Sequence, residues 1–163
     1  MDFNKLKSNF IRESNNVIIS IIDEIPFEYN IEKIIKKQYR KNKGGRSYFS
    51  SIEEEFLNEV YFLSILQRYG FVPRIYFIDH EKQIIYMSYC GKILNESNAP
   101  DNLKQQFINI LSILNKQNIY HNDLNLDNIL VNNDKLYLID FTYSDYKEQY
   151  PFININLNML LNL

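Results

Sequence analysis

In the first forty positions apolar residues come in short runs broken by polar turns. "FIRESNNVIISII" predicts two strands around the turn Ser14-Asn15-Asn16, and "YNIEKIIKKQYR" predicts a third that enters a basic loop. At Ser51 the period changes. "SIEEEFLNEVYFLSILQRY" pairs Ser51 with Glu54 as a capping box, puts acids in the first turn and spaces Phe56, Val60, Leu63 and Leu66 as a helix does. "PRIYFIDHEKQIIYMSYCG" reads as a hairpin turning near His80-Glu81-Lys82, and "DNLKQQFINILSILNKQNIY" as a second amphipathic helix. Beyond it, "NILV" and "KLYLID" are short strands joined by Asn132-Asn133-Asp134, a hairpin-turn composition. The order predicts an α+β domain. No internal repeat is present, and the thin Gly and Pro content offers no flexible linker.

A chain of 163 residues, 45% hydrophobic, is long enough for one compact domain or two small lobes sharing a cleft. With four glycines, a backbone-cradled phosphate site must be made largely without that residue. A formal charge of -2 argues against a broadly basic nucleic-acid binder and leaves room for a local patch at the basic run "KKQYRKNKGGR", residues 36–46. The single cysteine, Cys90, cannot form an internal disulfide. "MDFNKLKSNFIRESNN" lacks the apolar core of a leader, and no stretch approaches the roughly 20 apolar residues of a membrane span. The expectation is a cytoplasmic, reducing setting with no membrane partner. Abundant Asn, Ile, Lys and Tyr fit an AT-rich coding bias, so each amide is weighed by its position.

The stretch "HNDLNLDNILVNNDKLYLIDF", residues 121–141, places Asp123 and Asn128 five apart and Asp140 at the end of an apolar strand. "HNDLNLDNIL" is similar to the protein-kinase catalytic loop H-R-D-L-x-x-x-N, and "LIDFT" resembles the strand that ends in D-F-G. The two motifs follow each other in the family's order and at close to its separation. The resemblance implies a single protein-kinase-like domain of two lobes with a reduced C-terminal lobe. Residues 1–89 would form a sheet-rich N-lobe with one long helix, and 90–163 a minimal C-lobe in which "NINLNMLLNL" supplies one closing helix.

The resemblance also implies ATP and Mg²⁺. Asp123 would orient the acceptor hydroxyl and take its proton, while Asn128 and Asp140 would hold the metal against the phosphates. His121 would be structural, packed beneath the loop. The phosphate-binding lysine would be Lys36 of "KIIKK", with Lys37 as competitor, and its helix partner Glu59; Glu53, Glu54 and Glu55 fit first-turn acids. "YMSYCG" is similar to the hinge that presents backbone groups to adenine, with Met87 guarding the back pocket and Tyr89 and Cys90 along the nucleotide.

Departures narrow the family. No G-x-G-x-x-G is present, and Ser14-Asn15-Asn16 would have to cover the phosphates; Gly44-Gly45 lies after the lysine strand and reads as a turn. Asn122 stands where many protein kinases carry an arginine, Asn125 where many carry a lysine, and Thr142 replaces the glycine of D-F-G. The sequence resembles compact atypical relatives: RIO and KEOPS-complex kinases, lipopolysaccharide-sugar kinases, and aminoglycoside or choline phosphotransferases. The expected activity is transfer of a γ-phosphoryl group to a protein or small-molecule hydroxyl. The alternative is a pseudokinase that keeps the fold as a nucleotide- or partner-binding scaffold. The basic run 36–46 is the place for an RNA or acidic partner.

Overall fold

A computed structural model describes residues 1–14, 16–29, 31–40 and 51–147. The run 41–50, which holds most of the basic loop, and 148–163, which holds the expected closing helix, lie outside the described residues. The chain divides into two compact units. The first comprises Met1–Val60 and Arg74–Tyr89, and the second Tyr61–Pro73 and Cys90–Leu163.

The first unit is built on a five-stranded antiparallel sheet. Its strands are β1 (Asn9–Glu13), β2 (Val17–Ile22), β3 (Ile34–Tyr39), β4 (Ile75–Asp79) and β5 (Ile84–Ser88), in the order β1-β2-β3-β5-β4. The β4–β5 turn falls at the expected residues, where Asp79 Oδ1 accepts from Lys82 N at 3.0 Å and Gln83 takes φ 53° to re-enter the sheet. Strand alternation sorts β3 into two faces. On one, Ile34 joins Ile22, Ile84 and Tyr86 in a core covered by Met1, Phe3 and Leu6. On the other lie Ile35, Lys37 and Tyr39, with Lys37 opposite Ile85 and Ile35 opposite Met87.

Helix α1 (Ile52–Leu66) starts in the first unit and ends in the second. Ser51 Oγ accepts from Glu54 N at 3.1 Å, as the capping pattern predicts. In its first half, Glu55, Phe56 and Glu59 are buried while Glu53, Glu54 and Leu57 face solvent. Glu55 lies in the first turn with the other two acids and, unlike them, is buried there.

The second unit carries α2 (Leu103–Lys116) and a small antiparallel sheet, β6 (Lys92–Ile93), β7 (Ile129–Asn132) and β8 (Lys135–Leu138), ordered β6-β7-β8. Helix α2 buries Leu103, Phe107, Ile110 and Leu114, one stripe at helical spacing. Gln106 fastens the helix to the hairpin: its Nε2 donates to Asp134 O at 2.7 Å and its Oε1 accepts from Leu136 N at 2.9 Å. Strand β6 is too short to be seen in the sequence, and Gly91 explains why it forms. At φ 95°, a Cβ there would lie 1.9 Å from Val131 O, so only glycine allows this approach. Among the described residues no helix is long and apolar enough to cross a membrane.

Candidate active site

In the first unit the chemistry lies on the helix-facing side of the sheet. Lys37 Nζ donates to Glu59 Oε2 at 2.5 Å, and both side chains are more than nine-tenths buried. Glu59 thus meets a strand lysine, but that lysine is Lys37 rather than Lys36. The reason is strand parity. Lys36 stands opposite Ser20 and Tyr86, on the face covered by the N-terminal segment, whereas Lys37 shares the face of Tyr39. The Tyr39 hydroxyl also donates to Glu59 Oε2. One turn earlier on α1, buried Glu55 accepts from Asn16 Nδ2 with both carboxylate oxygens, at 3.1 and 3.2 Å. The turn that stands in place of a glycine loop is therefore tied to α1, and Arg40 N binds Asn16 O at 2.9 Å on its other side. Met87 is buried on β5, and Tyr89, at the end of the unit, lies beneath the Lys33 ammonium at 5.4 Å. Burial, and after it Asp79 and Asp2, raise the Tyr86 phenol above its ordinary pKa.

The second unit assembles the loop residues. Asn128, buried at the end of a short helical turn, donates its Nδ2 to Asp123 O at 2.8 Å and Asp123 Oδ2 at 2.9 Å. Asn125 donates to Asp123 Oδ1 at 3.1 Å while its own Oδ1 accepts from Asp127 N at 3.0 Å, capping that turn. Two amides thus fix both oxygens of one half-buried carboxylate. Ladder register brings the remaining acid to the same end of the β7–β8 hairpin: Ile129 pairs with Leu138, and Ile139 N donates to Asn128 O at 3.0 Å. Asp140 follows directly with φ 64°, a left-handed conformation that Asp tolerates better than most residues, and its Oδ1 accepts from Thr142 Oγ1 at 2.8 Å.

The loop is held from beneath. His121 is buried with Nε2 at 2.9 Å from Ile139 O and its ring edge-on to Phe141 at 4.6 Å. Asn122, also left-handed at φ 60°, donates to Tyr143 O at 3.1 Å and Lys147 O at 3.3 Å. Tyr120 and Asp145 exchange backbone bonds of 2.8 and 3.0 Å. Cys90 is buried where the chain re-enters the unit, and burial followed by the Cys90 thiol raises the Tyr137 phenol.

Asn128 commits its NH₂ to Asp123, which leaves its carbonyl oxygen as the atom that could face a metal, and Asp140 could add a carboxylate. Both are hard oxygens. Among the described residues no group of three or more His, Cys, Asp and Glu could hold a metal. That donor set suits Mg²⁺, which takes one or two protein oxygens and completes its octahedron with phosphates and water. Three contacts were missed in the sequence: Tyr39 to Glu59, Asn16 to Glu55, and Thr142 to Asp140. Only the last had a local signal, the Thr in place of glycine.

A buried lysine–glutamate pair between third strand and helix, and a polar loop leading into a hairpin that ends in Asp, define a kinase-like domain. The RIO domain profile matches residues 16–150, and the chain belongs to that family of atypical kinase-like domains. It is similar to a probable bifunctional tRNA threonylcarbamoyladenosine biosynthesis protein of Methanocaldococcus jannaschii, 27% identical over 140 residues, 84% of this chain and 25% of that one. It is also similar to the KEOPS complex subunit Bud32 of Pyrococcus abyssi, 22% identical over 153 residues, 88% of this chain and 70% of that one. The chain thus spans a quarter of the first relative's length and most of the second's.

Proposed function

We infer that the chain is an ATP- and Mg²⁺-dependent phosphotransferase that passes the γ-phosphoryl group to a hydroxyl. The observation that carries this reading is the buried Lys37–Glu59 pair. Taking two charges out of water costs several kcal/mol per ion, and apolar packing would join helix to sheet at least as well. A lysine held at one fixed place is what phosphate binding needs.

In this reading Lys37 takes the role first expected of Lys36, and Glu59 holds it. Met87, Tyr89 and Cys90 line the adenine end. Asn128 and Asp140 hold the metal, whose chemistry is to neutralise charge on the transferring phosphates. Asp123 accepts the hydroxyl proton, its orientation set by the amides of Asn125 and Asn128. The acceptor hydroxyl belongs to a protein or a small molecule. A relative that is a subunit of a complex favours a protein. The relative named for tRNA threonylcarbamoyladenosine biosynthesis supports an RNA or acidic partner at the basic run 36–46. Buried Lys37 drops out, which leaves Lys36, Arg40, Lys41, Lys43 and Arg46 as the basic residues of that run.

A second reading, a pseudokinase scaffold, is favoured by the β1–β2 turn, which has no glycine and is tied to Glu55 through Asn16. Asp123→Asn separates the two. In a phosphotransferase it keeps ATP and Mg²⁺ affinity within a few-fold and removes about two or more orders of magnitude of turnover, since general-base catalysis is worth roughly 10²–10⁴-fold. Titration calorimetry beside a radiolabelled-ATP assay measures both. Equal turnover by wild type and variant defeats the assignment of Asp123.

A further inference from the structure

Tyr39 is 2% exposed at the end of β3, two residues beyond Lys37 and therefore on the same face of the strand. It touches both members of the ion pair. Its hydroxyl donates to Glu59 Oε2, the oxygen that also receives Lys37 Nζ, and the Lys37 ammonium sits 5.3 Å from its ring centroid. The ring is itself fixed. Phe56 on α1 meets it edge-on at 5.8 Å, and Tyr39 N donates to Gln83 O at 3.0 Å.

We propose that Tyr39 is a positioning residue for the phosphate-binding lysine: its hydroxyl sets the orientation of Glu59, and its ring seats the Lys37 ammonium. The proposal rests on the phosphotransfer reading. A carboxylate held by one flexible lysine can rotate about its terminal torsion, and the ammonium follows it. A second donor, on a rigid side chain of the same strand, removes that freedom. Sharing one oxygen between two donors also lowers the negative charge that Lys37 alone must answer, so the ammonium is held without being wholly spent. The cation–π contact adds attraction from a direction that does not compete for an N–H. Tyr39 touches no reacting atom in this scheme and acts through Glu59 and Lys37.

The test is Tyr39→Phe, which keeps the ring, its packing on Phe56 and its face toward Lys37, and removes only the hydroxyl. Nucleotide affinity and the KM for ATP should weaken by about three- to tenfold, with kcat changed less, because a hydrogen bond to a charged group is lost at one remove from the ligand. Tyr39→Phe combined with Glu59→Gln should be no worse than Glu59→Gln alone, since the charged carboxylate through which the hydroxyl positions the ammonium is then gone. The ¹⁵Nζ resonance of Lys37, identified by its absence in Lys37→Met, should move in nucleotide-free Tyr39→Phe. A merely packing role would not move it. An unmoved resonance with affinity within twofold of wild type overturns the proposal, as does full additivity with Glu59→Gln. A wild-type chain that binds no ATP analogue defeats the phosphotransfer reading instead, and the Lys37 resonance still decides whether Tyr39 holds the pair.

Discussion

The two units solve the same problem, holding a charged side chain still, by different means. In the first, Glu59 and Lys37 hold each other, deep in the unit and on regular elements, with a phenol as third partner. In the second, Asp123 and Asp140 are only half-buried, lie on loop ends, and receive amides and a hydroxyl from their own unit. Opposite charge is the stronger brace, and it neutralises what it braces. Neutral donors orient a carboxylate while leaving its charge in place. That suits groups that must still attract a proton or a divalent cation, whereas the lysine, with three N–H donors, can give one to Glu59 and remain cationic. The difference therefore tracks what each group would have left to do.

The strongest way to break this comparison is to remove a charge from the second unit. Asp140→Ala should abolish Mg²⁺-dependent turnover and leave the fold largely intact, because a strand-end carboxylate carries little packing; Asp140→Asn should fail similarly. Normal turnover by either at limiting Mg²⁺ would take Asp140 out of the metal site. Removing a charge from the first unit should instead damage stability as well as binding. Lys37→Met leaves a buried glutamate without its cation, a loss of about 3–5 kcal/mol by the usual cost of breaking buried pairs. Lys36→Met should unfold within a degree or two of wild type and bind ATP normally. Thermal melts and calorimetry on both variants decide which lysine matters, and equal behaviour would refute the parity argument.

That argument also marks where the sequence stops being informative. Among the described residues every strand of four residues or more and both α-helices were legible, because each carries its own period and its own turn or cap: Ser51 before α1, Asn133-Asp134 between β7 and β8. The spacing of Asp123, Asn128 and Asp140 was legible for a similar reason, since loop and hairpin are contiguous in the chain. The choice between Lys36 and Lys37 was not. Two adjacent lysines in a strand flanked by isoleucines give no polarity contrast, and their faces are set by which side α1 and the N-terminal segment occupy. Strand β6, two residues long, depends on Gly91 meeting Val131, about forty positions away in the chain. Asn16 with Glu55 and Tyr39 with Glu59 are likewise contacts between distant segments. No local pattern announces them.

A subtler test sharpens the role of neutral donors. Thr142 Oγ1 reaches Asp140 Oδ1 at 2.8 Å, so Thr142→Ala keeps the carboxylate and removes its brace. Groups that orient a metal ligand typically contribute 10–100-fold in affinity, and a single neutral hydroxyl brace belongs at the low end, about tenfold in the Mg²⁺ concentration for half-maximal turnover. Turnover at saturating Mg²⁺ should change much less, and Thr142→Ser should restore the wild-type curve. A fall in saturated turnover with no shift along the Mg²⁺ axis would mean that Thr142 acts on something other than the metal ligand.

The smallest expected effect tests whether the β7–β8 hairpin is a rigid spacer for the second unit's acids. Asn133 and Asp134 both take positive φ, 49° and 58°, the type I′ geometry that matches strand twist. Asn-Gly is the best pair for such a turn, because glycine carries no Cβ penalty there. Asp134→Gly relieves that strain, and part of the gain is offset by the greater freedom glycine gives the unfolded chain. The balance should be a stabilisation of about 0.5 kcal/mol, on the order of 1–2 °C in Tm. The Gln106 bond to this residue uses its backbone carbonyl, so it survives the change. Asn128 precedes β7 and Asp140 follows β8, so both sit at the end of the hairpin away from the turn. Turnover should therefore match wild type while the melting curve shifts upward. A lowered Tm would show that the Asp134 side chain holds the turn, and altered turnover would show that strain at one end of the hairpin reaches the acids at the other.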